Sequence, residues 1–262
     1  MKRMILTGIL ALAAGAVGLM AQTAPAAPKG PAPKSKAELE ALQAMFGANG
    51  NPDATIKAAD DLLTKFADTD FKETALYLEA DAYHNKGDDT KAQIFAEKAL
   101  EVNPKSYQAS IMLSEIVVHG TRENDLDKEE KLAKADKYAK DAMDFVKDVP
   151  KPNPQVTDAQ WDEFKKGIVA RAHNTMGLGN LTRKKYDSAA AEFKLAVDND
   201  PQPAYVVRQA SALQAGGKND EAIALCDKLL ADANLHPMIK QVAQQVRASA
   251  VKAGGKAPGG GE

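Results

Sequence analysis

The sequence predicts an all-α protein made of stacked helix–turn–helix units and closed by a C-terminal capping helix. Three observations carry that prediction. Two stretches, "KGDDTKAQIFAEKALEVNP" (86–104) and "KKYDSAAAEFKLAVDNDP" (184–201), write the same amphipathic helix twice, with Ala92, Ala99 and Pro104 in register with Ala189, Ala196 and Pro201. Alanine is abundant while aromatics make up only 5% of the chain, which suits helices packed through small side chains better than a β-sandwich. Apolar residues also recur at helical spacing through most of the sequence, with turn residues between the runs. Two antiparallel helices nest only where one offers small residues against the bulk of the other, so alanines at fixed spacing are a packing instruction.

The second copy satisfies Ala-x3-Phe-x2-Ala-x4-Pro through Ala189, Phe193, Ala196 and Pro201, with Asn180 nine residues upstream and His173, Met176 and Gly177 before it. The first reads Leu76-x2-Glu79-Ala80-x2-Tyr83, then Ala92-x3-Ala96-x2-Ala99-x4-Pro104. This pattern resembles the tetratricopeptide repeat, a helix–turn–helix unit of about 34 residues. The resemblance implies a right-handed α-solenoid in which each unit buries its apolar face against its neighbours.

In chain order, the first residues stand apart. Lys2 and Arg3 precede the uncharged run Met4 to Ala21, the layout of a secretory signal ending near Ala21, with Ala24 and Ala27 as other cutting points. The rival reading is an uncleaved anchor, because 18 residues barely span a bilayer. Residues 22–35 are rich in proline and alanine and form an extended linker. The folded part, 36–252, divides into units at about 36–69, 73–106, 107–149, 158–202 and 203–236. The first carries Leu39, Leu42 and Phe46, then Ala59, Leu62 and Phe66, with Thr55 where alanine is expected. The third carries Leu113 and Val117, then Ala135, Ala139 and Ala142, with an insertion that lengthens its turn into a charged loop at 119–131. After the proline-rich break 149–155, Thr157 and Gln160 offer a capping box that opens a helix bearing Trp161, Phe164, Ile168 and Ala172. The fifth unit places Cys226 in the aromatic slot and Leu229 in the last small slot. A cap at 237–252 turns Ile239, Val242, Val246 and Val251 inward, and 253–262 is a disordered tail.

The chemistry this composition excludes is as informative. The formal net charge is −2, and removal of Lys2 and Arg3 makes it more negative, so there is no electrostatic footprint for nucleic acid. His84, His119, His173 and His236 are scattered without a second ligand at helical spacing, which argues against a metal. "GLGN" (177–180) lies mid-helix with no preceding strand, unlike a phosphate cradle. Cys226, the one cysteine, reads as a buried small hydrophobe. No nucleophile, base and orienting group come together, so the sequence reads as a non-enzymatic protein without a cofactor.

The resemblance implies instead a concave groove lined by the first helix of each unit, which holds a protein or peptide partner. Its lining would be Tyr77, Asp81 and His84 from the second unit and Ile111, Glu115 and Val118 from the third. Arg171, Asn174, Leu178 and Leu181 would come from the fourth, and Val207 and Ser211 from the fifth; Ile111 and Leu181 read equally well as core. It lacks the lysine–asparagine set with which chaperone-binding members of the family clamp a C-terminal carboxylate. The expectation is an exported adaptor or scaffold of the periplasm or cell envelope. The alternatives are a membrane-anchored subunit of an envelope assembly and, behind it, an enzyme whose site escapes motif reading. The oligomeric state stays open.

Overall fold

The structure is a computed structural model that describes residues 30–48 and 50–256. The expected signal (1–21), the linker up to residue 29 and the tail from 257 lie outside the described residues. Among those described, the chain forms eleven helices and no strand. They are α1 (Lys36–Gly47), α2 (Pro52–Lys65), α3 (Lys72–Asn85), α4 (Asp89–Val102), α5 (Tyr107–Gly120), α6 (Lys128–Lys147), α7 (Asp158–Thr182), α8 (Tyr186–Asn199), α9 (Pro203–Ala215), α10 (Asn219–Leu230) and α11 (Pro237–Lys252). The predicted fold class is the one found: helix after helix, packed as consecutive hairpins.

Local chemistry sets the helix ends. Ser35, Asn51 and Asp88 each accept a hydrogen bond from a backbone N–H in the first turn of α1, α2 and α4, and proline opens α2, α9 and α11 where its missing N–H costs nothing. The predicted capping box is present. Thr157 N–H donates to Gln160 Oε1 at 3.0 Å and Gln160 N–H to Thr157 Oγ1 at 3.2 Å. Three inter-helix turns close identically: Asp88 N–H reaches the Tyr83 carbonyl, Lys185 N–H that of Asn180, and Lys218 N–H that of Leu213, at 2.8–3.0 Å. The residue before each donor is left-handed, as this motif requires. Glycine fills the place at Gly87 and Gly217, but Lys184 holds it at φ 59°.

The chain divides into two units. The first comprises residues up to Ala109 together with Val149–Trp161. Its core joins Leu42 and Met45 of α1, Ala59 and Leu62 of α2, and Phe71 and Ala75 at the start of α3, with Phe46 and Phe66 packed at the edge. Thr55 is buried, and its hydroxyl donates to the Ala48 carbonyl at 3.1 Å, so the departure from alanine is satisfied locally. Ala80, Ala92, Ala96 and Ala99 are wholly buried in the α3–α4 hairpin, where Tyr83 stacks on Phe95 with centroids 5.4 Å apart. Trp161 is buried and its indole N–H donates to the Val149 carbonyl at 3.1 Å, pinning the proline-rich break to the start of α7.

The second unit comprises Ser110–Asp148 and the chain from Asp162 onward. Ala139 and Ala142 of α6 pack with Ile111 and Ala172, and Val118 packs with Leu132 and Ala135. Phe193 of α8 is fully buried against Ala189, Ala190, Leu213 and Ile223. Cys226 is buried with Val207, Ala210 and Ala243, and burial pushes its thiol up to about 11, which leaves almost no reactive thiolate.

Three expectations are corrected here. The insertion is not all loop, because α6 begins at Lys128 and runs 20 residues; "KEEK" is made of helix formers, with Glu129 and Glu130 favoured by the dipole of the first turn. Val251 of α11 is exposed while Ala243 and Ala250 are buried, so the inner face of the cap is narrower and smaller than read. The tail does not leave at once: Lys256 N–H donates to Asp220 Oδ1 at 2.6 Å and Gly255 sits directly over α10.

Candidate binding surface

Because each helix returns in register after one repeat, side chains on first helices meet their counterparts about one repeat away. The polar bonds of the molecule show this spacing. In the first unit Ser106 bonds Glu73, 33 residues distant, and in the second Arg208 bonds Asn174, 34 residues distant.

In the first unit, Tyr77, Asp81 and His84 lie partly exposed along α3. Asp81 accepts from the amide of Asn85 at 2.9 Å, and the His84 ring lies 2.6 Å from Asp89 at the start of α4. The polar atoms of Asp81 and His84 thus serve the hairpin itself.

In the second unit a row of polar side chains crosses α5, α7 and α9. Arg171 of α7 grips Glu115 of α5 by two bonds, Nε to Oε1 at 2.9 Å and Nη2 to Oε2 at 2.7 Å. Such a fork fixes both side chains in one geometry. Asn174, one helical turn on, turns its carbonyl oxygen to Arg208 of α9. Tyr205 stands beside this group, and burial first, then the charge of Asp200, pushes its phenol up, so it remains a hydroxyl donor. Arg208 is half-buried, and burial works against its charge while Tyr205 and Glu115 partly offset that. Among the described residues no carboxylate lies within ion-pair distance of Arg208, and Glu115 is already held by Arg171. Arg208 therefore holds a guanidinium that no carboxylate among the described residues pairs with.

Of the residues the sequence proposed, Glu115 and Arg171 are brought into direct contact, whereas Asn174 is 8% exposed and meets Arg208 from the interior rather than lining an open groove, a correction. Val207 is only 5% exposed and lies in the core with Cys226, a correction. Ile111 and Val118 are buried as well. Leu178 and Leu181 pack against the Phe193 cluster, and Leu178 also touches that of Leu132, so they serve helix packing rather than an open lining. A β-branched or aliphatic residue one position off the outer stripe rolls into the hairpin interface, and sequence register alone does not separate the two. Tyr205 and Arg208 escape the sequence reading. The signal is nevertheless there, since each stands 34 residues after Arg171 and Asn174 respectively, one repeat further along the same face.

Among the described residues no group of three or more His, Cys, Asp and Glu is placed to hold a metal ion, and no helix is long and apolar enough to cross a membrane. The row presents the Arg208 guanidinium beside the ring of Tyr205.

Residues 73–106 match the tetratricopeptide repeat family. The fold resembles the crystal structure of a thermophilic tetratricopeptide-repeat protein of Thermus thermophilus, with a TM-score of 0.54 at 20% sequence identity. That alignment covers 80% of this chain and 98% of the other. No curated protein matches. The helical hairpins, the match over α3–α4 and the structural likeness together show that the chain has the fold of tetratricopeptide-repeat proteins, repeats that serve in general as protein-interaction scaffolds.

Proposed function

We propose that the chain is an exported, non-enzymatic scaffold that holds a segment of a partner protein against the first helices of its repeats. The observation that carries this reading is the Glu115–Arg171–Asn174–Arg208 row with Tyr205 beside it. Arginine and tyrosine are the residue types most often found as interface anchors. The unpaired charge of Arg208 favours a segment bearing a carboxylate. Export rests on the basic start and the uncharged Met4–Ala21 run. The length of that same run supports a second reading, an uncleaved anchor that keeps the repeats at a membrane.

The test is affinity capture of the exported full chain alongside the Arg208→Ala and Arg171→Ala variants. The expected result is a copurifying partner whose recovery falls at least about tenfold on either variant, as for loss of an interfacial anchor, with unchanged circular dichroism. Equal recovery on folded variants removes this surface from the reading, and no partner at all removes the scaffold. Retention in membranes after a high-salt wash selects the anchored form.

A further inference from the structure

Two glutamates of the first unit are 1% exposed, Glu38 of α1 and Glu79 of α3. They are treated in opposite ways. Glu38 accepts from the backbone N–H of Lys34 at Oε2 and from the Thr69 hydroxyl at Oε1, both at 2.6 Å, so both of its oxygens have a donor where they lie. Neither oxygen of Glu79 meets a hydrogen-bond partner among the described residues. An ionised carboxylate cannot stay in such a place without either finding a donor or moving out.

We propose that Glu79 is a proton-operated lock on the α2–α3–α4 stack: neutral, its side chain fits the interior, and ionised, it loosens α3 from its neighbours. The elements packed on α3 supply little to hold the anion. Asp60 of α2 opposes ionisation and Lys98 of α4 favours it weakly, while burial dominates and pushes the carboxyl up to about 8. Glu73, on the same helix, is also raised by burial but accepts from Ser106, and the His84–Asp89 pair closes the far end. The helix so controlled carries Tyr77, Asp81 and His84.

The sign follows from linkage. In the unfolded chain Glu79 loses its proton in the ordinary glutamate range; in the folded chain it keeps it until about pH 8. Stability thus falls as pH rises between those limits, by up to about tenfold in the folding constant per pH unit, and levels off above them. The test is chemical unfolding of the full chain from pH 5 to 9, with hydrogen exchange of α3 amides, for the native protein, Glu79→Gln and Glu79→Met. The expected result is a native folding constant that drops relative to both variants by about tenfold per unit across the window, with faster exchange confined to α2–α4. Parallel pH curves for native protein and variants overturn the proposal. Should neither variant fold, a carbon NMR titration of the native Glu79 carboxyl decides: a midpoint near that of ordinary glutamates overturns it, and one above pH 7 supports it.

Discussion

The α3–α4 and α7–α8 hairpins solve one packing problem with different side chains. Their common positions are identical in effect: Ala92 and Ala189, then Ala99 and Ala196, are all fully buried. Where the first hairpin sets Ala80 and Ala96 in the interface, the second sets Gly177 and Phe193, and both Ala96 and Phe193 are fully buried. The ring of Phe193 occupies the space a Gly177 Cβ would need, with ring atoms 2.6–2.9 Å from that point. What is held in common is the volume of the interface, shared out differently between its two sides. The neighbouring positions diverge in kind. Glu79 stands where the second hairpin has Met176, and Gly87 stands where it has Lys184.

This shared plan is most vulnerable at Phe193. Replacing Phe193 by Ala empties the second interface with nothing to refill it, and a loss of about 3–5 kcal/mol is expected in denaturant unfolding. A loss under about 1 kcal/mol would mean the hairpin collapses onto the hole and that shared volume is not what holds it. Ala96→Phe makes the converse test in α3–α4. Alone it overfills the interface and costs about 1–3 kcal/mol; combined with Ala80→Gly it should recover a measurable part, because the pair then copies Gly177 and Phe193. Simple additivity in that double-mutant cycle would show that the two hairpins do not share an interface plan.

Gly177→Ala follows in size. Better helix propensity offers up to about 1 kcal/mol, but the new methyl meets a buried ring, so a net loss of about 1–2 kcal/mol is expected, read as a lower thermal midpoint. The smallest effect is at Lys184. Glycine there relieves a left-handed backbone that an L side chain adopts reluctantly, and the midpoint should rise by about 2 °C. Lys184 also pairs with Glu123 on the inserted loop; that exposed pair is screened by salt, so the gain should be larger at high ionic strength. A fall in midpoint at low salt that disappears at high salt would show that the loop contact, not the turn, governs this position.

Much of the fold is legible in the sequence because helical hairpins demand small residues at fixed places. Ala92, Ala96, Ala99, Ala189 and Ala196 read as packing positions from spacing alone, and Thr157 and Gln160 as a helix start from their three-residue separation. The binding surface is legible only in part. Glu115 and Arg171 follow from register, yet Leu178, two turns after Arg171 on the same stripe, packs half-buried against the Phe193 cluster, and Val207, one position before Arg208, turns into the core, because one residue is about 100° around a helix.

The repeat, its register and most helix ends are written in the sequence, because these depend on local propensity and on periodicity within one chain segment. Which polar groups find partners was settled only when the helices packed. Arg208 meets Asn174 across one repeat, Glu38 receives the Thr69 hydroxyl from 31 residues away, and Glu79 receives no donor among the described residues. Hydrogen bonds and desolvation depend on what lies within a few ångströms in space, and residues that distant along the chain meet there only in the folded stack.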